Sequence, residues 1–398
     1  MLPLMFAAVA LGAPVPVEVV LHDGAWSLVR DGQPYRIRGA GGDRDLELLA
    51  AIGGNSIRTW GVGDETAALL DAAQALELTV SVGLWLGHPR HGFDYADADQ
   101  VAAQLAEVRA AVEAYRDHPA VLLWGLGNEM EGFEGGDDPA MWAAVCEAAR
   151  AIRELDPHHP VMTTTADIGG GRIAGVDRCD AIAIHGVNSY GGAPSVPERY
   201  AASGGRKPVV VTEYGPPGTW EIGRTAFGAA PEATSTEKAS SYRHIASTVL
   251  RHPSVLGGYA FLWGSKVEAT ATWYGLFLSD GTRLGGVDAL ADVWGRAVPD
   301  RAPVVTPLVA SPGDQVRPGE IVQIRWTVTD PEGLPAVTEW SLRREVSSYF
   351  TGGDAQATPL EMRGAVQRPG VDGATVRMPK SPGVYRVYAV ARDEQGGG

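Results

Sequence analysis

From residue 37 to residue 294 the chain repeats one alternation: a short apolar run of strand character, then a longer run whose apolar residues recur every three or four positions. The apolar runs at 37–41, 56–60, 79–86, 121–127, 161–166, 181–190, 208–214 and 255–263 predict eight strands. The intervening periodic runs predict helices at 45–52, 65–76, 100–115, 140–155, 197–202, 237–250 and 287–294, with a short Gly-rich connection after the fifth strand. Strands apolar on both faces and alternating with helices predict a parallel sheet covered on both sides. Eight such units in about 260 residues fit a closed (β/α)₈ TIM barrel better than an open doubly wound sheet. The segment GAGGDR after the first strand is too short for a G-x-G-x-x-G dinucleotide fingerprint, which sets that fold aside.

On either side of the barrel the pattern changes. AWSLVRDGQPYRIRGAGG alternates in period two around Asp31-Gly32 and predicts a hairpin leading into the first strand. From Pro303 onward, Pro and Gly interrupt alternating runs such as IVQIRWTV and no helical period returns. That predicts a small all-β, immunoglobulin- or fibronectin-like sandwich over 301–398, after a hairpin-plus-barrel domain at 17–300. The sequence shows no strand after Asp393, so the sandwich is expected to be incomplete or closed by something else. Within it, Trp326, Trp340 and Tyr349 could form a sugar-facing set, but all three are expected in the core. Residues 1–16 have a short apolar run and small residues at Ala8 and Ala10, which resembles the end of a secretory leader and predicts a secreted or periplasmic protein. No later run of 18 apolar residues is available to span a membrane.

Composition narrows the partners. A net charge of -15 argues against nucleic acid or an anionic membrane surface, and a neutral substrate fits better. Eleven tryptophans provide candidate platforms for sugar rings. Only two cysteines are present, Cys146 in a helical pattern and Cys179 before a strand, and the expectation is two separate buried thiols.

In a (β/α)₈ barrel the active site lies at the C-terminal ends of the strands. Here those ends carry Arg58, Trp60, Trp85, His88, Asn128, Glu129, Asp167, His185, Asn188, Tyr190, Glu213 and Trp263. Glu129 after strand four and Glu213 after strand seven would face each other across the mouth. Retaining glycoside hydrolysis needs such a pair, one carboxyl protonating the leaving oxygen and the other attacking the anomeric carbon, about 5–5.5 Å apart. Glu131 and Glu134 fit a solvated acidic loop. A metal-dependent hydrolase would want two histidines on strand one, which reads RIRGAGG, so no metal or cofactor is expected.

The runs HPAVLLWGLGNE and PVVVTEYG resemble the acid/base and nucleophile strands of the retaining clan of (β/α)₈ glycoside hydrolases, particularly the barrel domain of family 2. GGNSIRTWG resembles its second strand, and the resemblance extends over roughly residues 35 to 297. It implies Glu129 as general acid/base and Glu213 as nucleophile. Asn128 would bond the sugar 2-hydroxyl, Arg58 and Tyr190 would orient Glu213, and Trp263 would floor the sugar subsite. His185 and Asn188 would be further polar groups at the sugar, and Trp60 and His88 complete the expected binding set. Family 2 usually places β-sandwich domains before its barrel, whereas only a hairpin precedes strand one here, and that implies a more open cleft. The expected partner is a carbohydrate, with double displacement on a β-glucan-like saccharide as the reaction. Transglycosylation on the same scaffold and a non-catalytic carbohydrate-binding barrel remain as alternatives.

Overall fold

The computed structural model describes residues 13–132, 135–349, 352–354 and 356–398. Residues 1–12 of the leader expected over 1–16, and Glu134, lie outside the described residues.

The first elements among the described residues form an antiparallel meander, β1 (Val17–His22), β2 (Ala25–Arg30) and β3 (Gln33–Tyr35). It is one strand longer than the hairpin expected, because Asp23-Gly24 makes a second positive-φ turn before Asp31-Gly32. Eight parallel strands then close a barrel: β4 (Ile37–Gly41), β5 (Ser56–Arg58), β6 (Thr79–Leu84), β7 (Val121–Asn128), β8 (Val161–Ala166), β9 (Ile184–Asn188), β10 (Val209–Tyr214) and β11 (Val255–Ala260). Strand β11 pairs back onto β4, so no barrel edge is left open.

Among the described residues eight α-helices surround it: α1 (Leu46–Ala51), α2 (Thr66–Ala75), α3 (Ala98–Tyr115), α4 (Pro139–Leu155), α5 (Arg172–Asp177), α6 (Val196–Ala202), α7 (Ser235–Thr248) and α8 (Gly285–Trp294). Their starts are written in the sequence. The carboxylates of Asp45, Asp97 and Asp138 accept from backbone N–H groups of the first turn of α1, α3 and α4, and Thr234 with Glu237 forms a capping box on α7. The Gly-rich connection after β8 contains α5, a short helix that the sequence period does not register.

The meander closes the N-terminal end of the barrel. Val17 and Leu28 pack against Ile37, Leu123, Met162, Ile184, Val210 and Tyr259 inside it, a cluster from which water is excluded. That plug leaves the C-terminal mouth as the open end. Cys146 of α4 and Cys179 after α5 form a disulfide with Cα atoms 5.5 Å apart, in place of two separate thiols. Successive β/α units bring together these residues 33 positions apart, a proximity that spacing alone does not reveal.

The C-terminal region is all β and antiparallel. β12 (Val304–Val305) pairs with β15 (Val328–Thr329), and β16 (Val337–Arg344) pairs with β19 (Tyr385–Arg392). A four-stranded sheet has the order β13 (Val309–Ser311), β14 (Ile321–Arg325), β18 (Gly373–Arg377), β17 (Val366–Gly370). Trp326 and Trp340 meet edge to face, 5.4 Å between ring centroids, in its core. This unit is docked on the barrel. Arg386 of β19 donates to Ala230 O (2.7 Å) and pairs with Glu345 (2.9 Å), while Glu232 beside it binds Lys238 of α7 (2.5 Å). After β19 the chain returns to the barrel, where Arg283 N donates to Gly396 O and Gly398 N to Arg283 O. Among the described residues no helix is long and apolar enough to cross a membrane.

Candidate active site

Strand β7 is buried from Val121 to Gly127 and opens to solvent only at Asn128 and Glu129. The chain must turn sharply there. Gly127 has φ +71°, and a Cβ on it would collide with the buried Met130; Glu129 itself is left-handed at φ +51°. That region is costly for a residue with a side chain. The surrounding bonds hold it: Glu129 N donates to Thr164 O (2.9 Å) and Gly132 N donates to Glu129 O (2.9 Å).

Across the mouth, Glu213 ends β10 with 6% of its surface exposed. Its Oε1 accepts from Arg58 Nη1 (2.9 Å) and Trp60 Nε1 (2.9 Å), and its Oε2 from Tyr190 OH (2.7 Å). Arg58 is buried too, and its Nη2 donates to Asn128 Oδ1 (2.6 Å), so one guanidinium ties the ends of β5, β7 and β10 together. Asn188 at the end of β9 donates to Glu129 Oε1 (2.7 Å) and to Asn128 Oδ1 (3.2 Å), while its own Oδ1 accepts from Thr212 (2.8 Å).

These contacts make the two carboxyls unequal. Glu213 accepts three hydrogen bonds, one of them from a guanidinium. Glu129 is raised to about 7, mainly by burial and then by the nearby negative charge of Glu213, against the opposing bond from Asn188. Both line a cavity of about 620 Å³ with Trp60, Asn128, Asn188 and Tyr190. Two indoles flank it with large exposed faces: Trp85, 45% exposed, and Trp220, 56% exposed.

Three expected binding residues sit elsewhere. His185 is fully buried, with Nε2 on Thr165 Oγ1 (2.9 Å) and its ring edge-on to Tyr200 of α6. It lies three positions before Asn188, and alternation along a strand turns it to the helical layer; burial, with a smaller contribution from Lys207, lowers it to about 3. His88 lies beneath Trp85, stacked on it at 4.8 Å, and burial together with Arg90 and His91 lowers it to about 4. Trp263 is 1% exposed and meets Phe277 edge to face; it borders an adjoining cavity of about 590 Å³ that lies on the far side of Trp60. The reason is that β11 ends at Ala260, so Phe261 takes the place at the mouth and the chain has turned away before Trp263.

Glu131 differs from its expected place in a solvated loop. It is 6% exposed, and its Oε1 accepts from Ala166 N (2.7 Å) and Arg172 Nε (2.8 Å). Tyr349, expected in the sandwich core with Trp326 and Trp340, instead lines the same cavity, together with Gly352, Gly353 and Asp354, of which the sequence gives no sign. Among the described residues the one set of potential ligand atoms close enough to share a metal ion is Cys146, Cys179 and Asp180, and its two sulfurs are joined to each other.

Residues 43–223 match the family model described as glycosyl hydrolases family 2, TIM barrel domain. Among curated proteins, mannan endo-1,4-beta-mannosidase F of Aspergillus clavatus is 38% identical over 66 residues, 17% of this chain and 14% of that protein. Solved structures with a similar fold include the beta-D-glucuronidase of Dictyoglomus thermophilum (TM-score 0.54, 17% identity), covering 71% of this chain and 54% of that one. The beta-glucuronidase of Bacteroides uniformis (TM-score 0.54, 15% identity) covers 95% of this chain and 48% of that one. A beta-galacturonidase of Eisenbergiella tayi, solved with galacturonate, has a TM-score of 0.54 at 16% identity, over 71% of this chain and 54% of that one. The chain thus spans about half the length of these solved relatives and a far smaller part of the mannosidase. At such identities the structural likeness establishes the fold. That fold is a TIM barrel, and residues 43–223 within it, less than half of the chain, are similar to the barrel domain of family 2.

Proposed function

We propose that the chain is a retaining glycoside hydrolase that cleaves β-linked neutral saccharides through a covalent intermediate on Glu213. Glu129, held protonated near neutral pH, gives its proton to the glycosidic oxygen as Glu213 attacks the anomeric carbon. The bond to the leaving oxygen breaks and an ester to Glu213 Oε forms. Glu129, now ionised, takes a proton from a water that attacks the same carbon, and Glu213 leaves as a carboxylate. Arg58, Trp60 and Tyr190 stabilise that carboxylate in the free enzyme and as it departs. Asn128 and Asn188 offer amide groups to the sugar hydroxyls beside the reacting carbon.

The observation that carries this reading is the asymmetry of the pair: Glu213 takes three hydrogen bonds, one from a guanidinium, while Glu129 is raised to about 7. A non-catalytic carbohydrate-binding barrel has no need of such a pair. Transfer to a second sugar would differ from hydrolysis only in the acceptor at the second step.

The charge arrangement supports a neutral sugar over the uronic acids named for the solved relatives. The cations around the cavity are already engaged: Arg58 with Glu213 (2.9 Å), Arg90 with Asp354 (3.2 Å), Arg172 with Glu131 (2.8 Å) and Lys266 with Glu268 (2.7 Å). Gluco- and manno-configured β-linked saccharides are the substrates we favour, the first from the clan resemblance and the second from the mannosidase similarity. The disulfide supports an exported protein, since such bonds persist in oxidising compartments.

The test is a panel of 4-nitrophenyl β-glycosides (gluco, manno, galacto, glucurono) and the matching β-linked oligosaccharides, scored for hydrolysis and for longer transfer products. Azide should rescue Glu213→Ala as the α-glycosyl azide and Glu129→Ala as the β-glycosyl azide. Full turnover in Glu213→Ala without azide would end the assignment. A preference for the glucuronide would end the neutral-sugar part of it.

A further inference from the structure

The barrel does not complete its own cavity. Tyr349, Gly352, Gly353 and Asp354 belong to the C-terminal β region, between β16 and β17, and they line the cavity that holds Glu129 and Glu213. They are tied to the barrel at both ends of the crossing. On one side, Arg90 Nη1 donates to Gly352 O (2.5 Å), and Asp354 takes Arg90 Nη2 (3.2 Å) and His91 Nε2 (3.1 Å), both from the loop after β6. On the other, Ala230 N donates to Tyr349 OH (3.0 Å), the Arg224 guanidinium lies 4.0 Å from the Tyr349 ring centroid, and Ala269 N donates to Gln356 Oε1 (2.6 Å). Ala230 follows β10 and Ala269 follows β11.

We propose that this crossing is a specificity-determining wall, which limits the site to a short saccharide or one chain end, in place of the open cleft of an enzyme that binds along a polymer. The inference rests on the glycoside hydrolase reading above and names the substrate length that goes with it. Tyr349, Gly352, Gly353 and Asp354, held to the loops after β6 and β10, stand at the mouth, so a polysaccharide cannot run through on that side without displacing them. The tie at Asp354 is a separable part. The Asp354 side chain is half-exposed and its partners come from a surface loop, whereas the docking contacts of Arg386 with Ala230 O (2.7 Å) and Glu232 (3.9 Å) join side chains that are largely buried. Exposed ion pairs contribute little to folding, so cutting this one should open the wall and leave the two units docked.

The experiment measures affinity against chain length by titration calorimetry, with β-1,4-linked gluco- and manno-oligosaccharides of two to six units, in a Glu213→Gln background. With the wall intact, affinity should stop rising at a short length. Adding Asp354→Ala or, from the barrel side, Arg90→Ala should let it keep rising, about tenfold or more at six units, and the two together should do no more than either alone. Hydrolysis of the polymer relative to the 4-nitrophenyl glycoside should rise by a similar factor in the single variants that retain Glu213. A loss of docking would instead lower the melting temperature and weaken every ligand alike. Identical length profiles with and without Asp354 overturn the wall even if the protein hydrolyses glycosides. Length-dependent binding governed by Asp354 without any turnover overturns the hydrolase reading alone, and no binding of any oligosaccharide overturns both.

Discussion

Replacing Tyr190 by Phe removes one atom from the site and should divide the two chemical steps. The Tyr190 hydroxyl is 2.7 Å from Glu213 Oε2, while the other oxygen keeps its bonds from Arg58 and Trp60. The ring is held independently of the hydroxyl, edge-on to Phe261 and Trp220 and tilted against Tyr274, so Phe keeps the packing. A hydrogen bond to a charged group is worth about 1.5–3 kcal/mol, and about 1.36 kcal/mol of barrier is tenfold in rate. In the covalent intermediate Glu213 is an uncharged ester, and its negative charge reappears as the sugar leaves. Losing the donor therefore slows that second step by roughly 10- to 150-fold. Formation of the intermediate consumes the same charge, so kcat/KM should fall much less. With a 2,4-dinitrophenyl β-glycoside, whose good leaving group makes the second step limiting, Tyr190→Phe should lower kcat and KM together and show a burst of dinitrophenol. A kcat within twofold of the wild type, or an equal fall in kcat and kcat/KM, would refute the reasoning.

Three further outcomes follow from the same geometry. Glu129 at about 7 should place the basic limb of kcat/KM near pH 7, and Asn188→Ala, which removes the bond favouring its ionised form, should move that limb upward; a downward move contradicts the assignment. Because the folded-state value lies above the ordinary carboxylate value of 4.5, the folded protein bears a penalty that is absent below about pH 4.5 and complete above about pH 7. Glu129→Gln should accordingly stabilise the protein at pH 8 by up to about 3 kcal/mol and leave it unchanged at pH 4, as read by chemical denaturation at both. Trp263→Phe should cost about 1–3 kcal/mol of stability through the space it leaves, with KM for an aryl glycoside within twofold of the wild type; a large rise in KM would return Trp263 to the sugar site.

The barrel was legible because its strands are largely buried on both faces and α1, α3, α4 and α7 open on side-chain caps, so runs such as VLLWGLG at 121–127 and TVSVGL at 79–84 announce themselves without tertiary information. The facing carboxyls were legible for a related reason: a carboxylate at the end of a buried run lies at the mouth of the barrel, as Glu129 and Glu213 do. Side-chain direction was harder to read. His185 and Asn188 fall in one apolar run, yet an odd spacing sends one to the helical layer and the other to the site. Trp263 depended on where β11 stops, and three residues of loop were enough to take it into the core and bring Phe261 forward. Glu131 looked solvated because its partner Arg172 lies 41 positions away. The contacts of Asp354 with Arg90 and His91 span more than 260 positions, and no local pattern encodes that distance.

The most direct test of the central claim is to trap the intermediate. A 2,4-dinitrophenyl 2-deoxy-2-fluoro-β-glycoside of the preferred sugar slows the second step more than the first, and the labelled protein can be digested and sequenced by mass spectrometry. The account places one fluorosugar on Glu213, in the peptide containing β10, with dinitrophenol released in equal amount. A label on Glu129 or any other carboxylate, or continued turnover of the natural substrate with no label formed, would contradict it.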